Sequence, residues 1–192
     1  MSKVSATRLA LLFGLLLLAA ACVGDDDVAQ TPPPQTGAAT GAEEMIVTSN
    51  IFTDGGRIPV AYTCDSDNIS PDVQWSGAPD ATVSFALIMD DPDANGFIHW
   101  VVYSIPGNAI GVPPGVTDEA TLANGSVQGS NGRGQIGYTG PCPPSGEHTY
   151  VFAIYALDAE LELGSGATAD EVTALIDPHV LEAGRITGTY SR

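Results

Sequence analysis

Two stretches, SFALIM at 84–89 and YVFAIYAL at 150–157, are nearly continuous runs of apolar, strand-forming residues. Runs this short and this apolar read as central β-strands covered on both faces, and a chain holding two of them must build a layer on each side. Shorter strand signals surround them: Met45–Ser49, Ile58–Tyr62, Val73–Trp75, Ser84–Asp90, Trp100–Ile105 and Ile186–Tyr190. Each is rich in β-branched or aromatic residues and bounded by Gly, Pro, Asn or Asp. One helix is signalled, by the capping box Thr168-Ala-Asp-Glu171 followed by Val172, Leu175 and Ile176 at helical spacing. Asp177-Pro178 interrupts it, with a short turn expected to run through Leu181. The fold class is mainly β: a β-sandwich-like domain over residues 45–192 with a short C-terminal helical segment.

The first 44 residues do not share this pattern. Lys3 and Arg8 precede an apolar run, Leu9–Ala21, that is too short for the roughly 20 residues of a membrane-spanning helix but suits a secretory signal. Ala19, Ala20 and Ala21 lead into Cys22, an arrangement that resembles a bacterial lipobox, with Ala19 where Leu is usual. Residues 1–21 are accordingly expected to be a lipoprotein signal peptide and Cys22 the lipidated residue; the plainer alternative is an ordinary cleaved signal. Residues 22–44 carry Asp25–Asp27, Pro32–Pro34 and scattered Gly and Thr without apolar periodicity, the composition of a disordered tether. The expected location is therefore the cell envelope, at the periplasmic side of an outer membrane or at the cell surface.

Removing the signal leaves four arginines, no lysine and 23 acids, a side-chain balance of −19. Such a surface cannot neutralise a row of phosphates, so nucleic acid is excluded as a partner. An electrostatic hold on anionic lipid is disfavoured for the same reason, which leaves a covalent lipid anchor as the route to a membrane.

Beyond Cys22, two cysteines remain, Cys64 and Cys142. In an exported domain they are most simply a disulfide; free thiols or a metal site are the alternatives, and neither cysteine sits in a CxxC pair. No metal and no cofactor is expected. Histidine is rare: His99, His148 and His179. His99 follows Asp90-Asp91-Pro92-Asp93-Ala94-Asn95-Gly96, and His148 follows the Gly- and Pro-rich loop Gly137–Pro144. Such a loop has a fixed shape, as a pocket wall requires, and histidines with a tyrosine at its rim suit a phosphate or carboxylate oxygen. Asp-Pro-Asp is also a common turn, and His179 reads as structural.

Taken together, IPVAYTCDSDNISPDVQWSGAP (58–79), SFALIMDDPDANGFIHWVVYSIP (84–106), GYTGPCPPSGEHTYVFAIYALD (137–158) and HVLEAGRITGTYSR (179–192) resemble the phosphatidylethanolamine-binding protein (PEBP) family, in its bacterial Raf-kinase-inhibitor-like (YbhB/YbcL) branch. The resemblance spans residues 46–192 and implies a PEBP-like β-sandwich with a small anion pocket at one end. By motif position it places Asp91, His99, Pro141, His148 and Tyr150 at that pocket, with Trp100 and Tyr138 close by. It gives Asp93 a loop-supporting role and sets Cys64 and Cys142 beside the pocket, consistent with a disulfide in exported members. This sequence departs from the pattern at Ser66 for Gly, at Asn95 for Pro, and at Asn131-Gly132-Arg133-Gly134, where Arg133 replaces an aromatic. Arg133 either adds a cation for an anionic ligand or is a solvated loop residue, the second being the plainer reading.

The function implied is a noncatalytic binding protein for a small phosphate-like ligand or phospholipid head group. The alternative is inhibition of a protease or kinase through protein–protein contact. A hydrolase is the weakest reading, because Asp, His and Tyr are acid–base types but no nucleophile motif such as GxSxG occurs.

Overall fold

The computed structural model describes residues 44–192; the expected signal peptide, the expected lipidated Cys22 and nearly all of the expected tether lie outside the described residues. Two sheets form the domain. The smaller joins β1 (Ile46–Thr48), β3 (Val73–Ser76) and β6 (Gly111–Val112) in the order β1-β3-β6. The larger has the order β2-β9-β8-β4-β5-β7, built from β2 (Gly56–Arg57), β4 (Ser84–Asp91), β5 (Phe97–Pro106), β7 (Val127–Gln128), β8 (Glu147–Leu157) and β9 (Val180–Ser191). Its pairings are antiparallel except for β2 with β9.

Strand alternation decides what each face meets. Phe85, Leu87 and Met89 of β4 point into a core between the sheets, with Trp75, Phe152, Ile154 and Ile186. Ala86 and Ile88 point the other way, onto Val172 and Ile176 of α1 (Ala169–Ile176). The SFALIM run is therefore covered on both faces. The YVFAIYAL run is not: Tyr150, Phe152 and Ile154 are buried, while Val151, Ala153 and Tyr155 are only half-buried. Those three share the outer face with Ala86 and Ile88 but lie mostly beyond the part that α1 covers, and they line an open groove of about 790 Å³ there.

The capping box forms as its residues predict. Thr168 Oγ1 accepts from the Glu171 N–H at 3.3 Å, and the Glu171 carboxylate accepts from the Thr168 N–H at 2.8 Å. Several boundaries differ from the sequence expectation: β5 starts at Phe97 and β9 at Val180, earlier than Trp100 and Ile186, and two further differences have local causes. Ile58–Tyr62 is not a strand; Pro59 has no N–H for a ladder, and Val60–Tyr62 forms a 3-10 turn closed by Thr63 N–H to Val60 O at 3.0 Å. The turn after α1 ends at His179 rather than at Leu181, because Val180 already pairs with Leu157 at the start of β9.

Candidate functional site

The candidate residues meet because β4 runs antiparallel between β5 and β8. The C-terminal end of β4 is thereby level with the N-terminal ends of both neighbours, Asp91 opposite Phe97 and Asp90 opposite Val151. His99 lies two residues into β5 beyond Phe97, and His148 and Tyr150 share one face of β8. The turn between β4 and β5 is fixed locally. Asp91 Oδ1 caps the 3-10 turn Pro92–Ala94 through the Ala94 N–H at 3.0 Å, and Asp93 Oδ2 accepts from the Thr149 N–H at 2.8 Å.

The Pro-rich loop is held from the other side. The Gly140 N–H donates to Asn68 Oδ1 at 2.7 Å, and the Cys64 N–H donates to the Pro141 carbonyl at 3.1 Å. Gly140 is needed there: a Cβ would lie 2.7 Å from Tyr62 O and 2.8 Å from Thr63 Cα. Cys64 and Cys142 form a disulfide across this contact, with Cα atoms 5.4 Å apart. Cys142 itself lines the pocket.

The resulting cavity, about 170 Å³, is walled by Asp91, Phe97, His99, Cys142, Pro143, Pro144 and His148, with Ala94 and Arg133 completing it. His148 Nδ1 is 2.7 Å from Asp91 Oδ2, so the Nδ1–H donates to the buried carboxylate. His99 Nδ1 is 2.6 Å from the Thr139 carbonyl, which can only accept, so this ring too holds its proton on Nδ1. In each neutral ring the remaining Nε2 is an acceptor. Burial holds the His99 imidazole below its ordinary value, a shift that the Thr139 carbonyl and the Asp91 charge only partly oppose.

The other candidates lie around this pocket rather than in its wall. The Tyr150 ring stands edge-on to His99 at 5.1 Å, and its buried hydroxyl has no hydrogen-bond partner. Burial first, then the Asp91 charge, pushes the Tyr150 phenol well up, so it stays protonated and able to donate. Pro141 is engaged through its carbonyl with Cys64. Trp100 and Tyr138 are core residues packed edge to face at 5.6 Å. Trp100 Nε1 donates to Gln128 at 2.8 Å, and the Tyr138 hydroxyl donates to the Tyr62 carbonyl at 2.6 Å. His179 lies apart, on Asp158 at 2.8 Å. Among the described residues no group of three His, Cys, Asp or Glu side chains is placed to hold a metal ion.

Sequence reasoning offered the loop through Pro143 and Pro144 as a pocket wall but passed over Phe97, and it preferred a solvated role for Arg133, which the structure sets at the cavity rim. The loop that carries Arg133 is seated through its neighbour Gly132. A Cβ there would lie 2.6 Å from the Phe97 ring, so only glycine lets this loop settle on the pocket's aromatic wall.

With this geometry in hand, comparison with known proteins is specific. The sequence profile of the phosphatidylethanolamine-binding protein family matches residues 48–191. A UPF0098 protein of Methanothermobacter thermautotrophicus is 47 % identical over 150 residues, covering 77 % of this chain and 99 % of its own. A Mycobacterium tuberculosis relative that carries a lipoprotein name, LppC, is 38 % identical over 161 residues, covering 81 % of this chain and 76 % of its own. Among solved structures, Escherichia coli YbcL, described as a member of the mammalian PEBP family, superposes with a TM-score of 0.72 at 33 % identity, covering 78 % of this chain and 99 % of its own. The PEBP homolog CT736 from Chlamydia trachomatis superposes equally, at 0.72 and 34 % identity, covering 78 % and 98 %.

Proposed function

The chain belongs to the phosphatidylethanolamine-binding protein family, in general a family of noncatalytic binding proteins, and from that premise we propose that it is an exported binding protein whose Asp91–His99–His148 pocket takes a small phosphate-like anion. The observation that carries this reading is the half-buried His148 paired with buried Asp91 beside His99, around a cavity of about 170 Å³ with an arginine at its rim. The chemistry differs from a simple pair of neutral donors. Both Nδ1 protons are engaged, with Asp91 and with Thr139, so neutral histidines offer the ligand lone pairs and not hydrogens. Donation at Nε2 requires a charged ring. Burial makes His99 resist that charge, while His148 keeps its Nδ1–H anchored on the Asp91 carboxylate and faces the cavity beside it. Arg133 supplies a fixed positive charge and Tyr150 a buried hydroxyl close behind.

Export through the signal at 1–21 and lipidation of Cys22 belong to the same proposal. A relative bearing a lipoprotein name supports it, as does the Cys64–Cys142 disulfide, a bond that persists in oxidising compartments.

Calorimetry with phosphoethanolamine tests the pocket. Binding is expected to tighten from pH 8 to pH 5.5 and to be lost in His148→Ala. It is also expected to release different heats in buffers of different ionisation enthalpy, the mark of proton uptake. Absence of binding at both pH values would overturn the reading.

A further inference from the structure

We propose that the anion pocket continues past Arg133 into a second, hydrophilic cavity, so that the ligand is a phosphorylated molecule with a hydroxyl-rich body, of the class of a hexose phosphate. The inference rests on the anion-pocket reading above and names the kind of molecule that pocket serves.

Arg133 is the first ground. Arg57 donates to Ser191 and lies over the Tyr190 ring at 4.9 Å, and Arg192 is paired with Asp65 at 2.9 Å. Arg185 makes no ion pair or side-chain hydrogen bond among the described residues, but it faces Asp54, whose carboxyl the Thr187 hydrogen bonds first and the Arg185 charge last keep low. Arg133, in a protein with 23 acids, has neither an ion pair nor a side-chain hydrogen bond among the described residues. Its place is nevertheless set: buried Asn131 accepts from the Arg133 N–H at 3.0 Å and donates to the Gly137 carbonyl at 3.0 Å, while the Gly132 N–H donates to Ile98 at 2.8 Å. A cation on so well tied a loop, paired with no carboxylate in an acidic protein, is available to a ligand.

The second ground is what Arg133 adjoins. It walls the histidine cavity on one side and a cavity of about 390 Å³ on the other. The larger cavity holds polar groups with unused capacity. The Asp118 carboxylate has no hydrogen-bond partner among the described residues, the Gln135 amide is exposed, and Asn68 uses its carbonyl oxygen on the Gly140 N–H and keeps its NH₂. An alkyl chain laid here would strip these groups of water and return nothing, whereas hydroxyls can both donate to Asp118 and accept from Asn68 and Gln135. The two volumes together reach the range of small-molecule sites, roughly 300–1,000 Å³.

Calorimetry near pH 6 with inorganic phosphate, glucose 1-phosphate and hexyl phosphate separates the possibilities. Glucose 1-phosphate is expected to bind about tenfold tighter than either of the others, as one or two charge-assisted hydrogen bonds allow. Arg133→Gln should weaken all phosphate esters about tenfold, and Asp118→Asn should remove most of the advantage of the sugar, with thermal melts showing that both variants fold. Equal binding of all three ligands, tighter binding of hexyl phosphate, or indifference to Arg133→Gln overturns the extended site while the anion pocket stands. Failure of every phosphate to bind overturns both.

Discussion

His99 carries the most consequential charge state of the pocket. Its ring is buried and shares its wall with Asp91, Arg133 and His148; burial dominates, so its folded value lies below the unfolded value of 6.5. The sign follows. Above 6.5 the ring is neutral in both states and its contribution to stability is fully present. As the pH falls through the lowered folded value, the unfolded chain binds the proton first and stability is lost. Urea midpoints are expected to drop between pH 7.5 and pH 5.5, and His99→Gln, which keeps a donor for the Thr139 carbonyl, should flatten that slope even if it lowers stability overall. An unchanged slope in the variant would place the proton elsewhere. The carboxylates held low by hydrogen bonds, Asp54, Asp65 and Asp72, act only at more acid pH and do not confuse the comparison.

Elements were legible in the sequence where packing and local pattern agreed, and obscure where they did not. The SFALIM run announces β4 because both faces of that strand are covered, by the small sheet and by α1. The similar YVFAIYAL run overstates the cover on β8, since periodicity cannot tell that α1 covers only part of the sheet's outer face. Ile58–Tyr62 reads as a strand from its β-branched and aromatic residues, yet the missing N–H of Pro59 outweighs them. At the site, Asp91, His99 and His148 were visible through the company they keep. Arg133 was weighed as a cation for the ligand but set second to a solvated role, because nothing in a linear string shows that Gly132 lies flat on Phe97. Asn95 makes the same point about departures from a family pattern. It closes the turn into β5 with φ of 56°, followed by Gly96 at 73°, a left-handed pair typical of tight Asn-Gly turns. Proline, locked near φ of −65°, cannot occupy this backbone. Asn95→Pro is expected to cost about 3 kcal/mol or more, because the turn that carries Asp91 must rearrange. Asn95→Gly should stay within about 0.5 kcal/mol. Denaturant titrations that found the two variants equal would contradict the turn.

At the scale of the whole molecule, the Cys64–Cys142 bond ties the loop after β2 to the loop before β8 across 78 residues. Closing so long a loop restricts the unfolded chain by roughly 4 kcal/mol on the chain-entropy model. The bond has a second effect, because Cys142 lines the histidine cavity while Cys64 lines the larger polar one. Freed of the bond, the Pro141–Pro144 wall keeps the Gly140–Asn68 and Cys64–Pro141 hydrogen bonds but loses its only covalent tie to the facing loop. Arg192 donates to both sulfurs, at 3.1 and 3.2 Å, while its pairing with Asp65 fixes it over the bridge, so the C-terminus belongs to the same assembly. Cys64→Ser/Cys142→Ser is therefore expected to lower stability by up to about 4 kcal/mol and to weaken phosphate-ester binding under conditions where the variant is still folded. Urea denaturation and calorimetry on the same sample separate the two losses. A variant that is less stable yet binds as well as the wild type would limit the disulfide to the unfolded chain. A loss of binding in the folded variant would make the bridge part of the pocket, and an oxidising compartment a condition for its function.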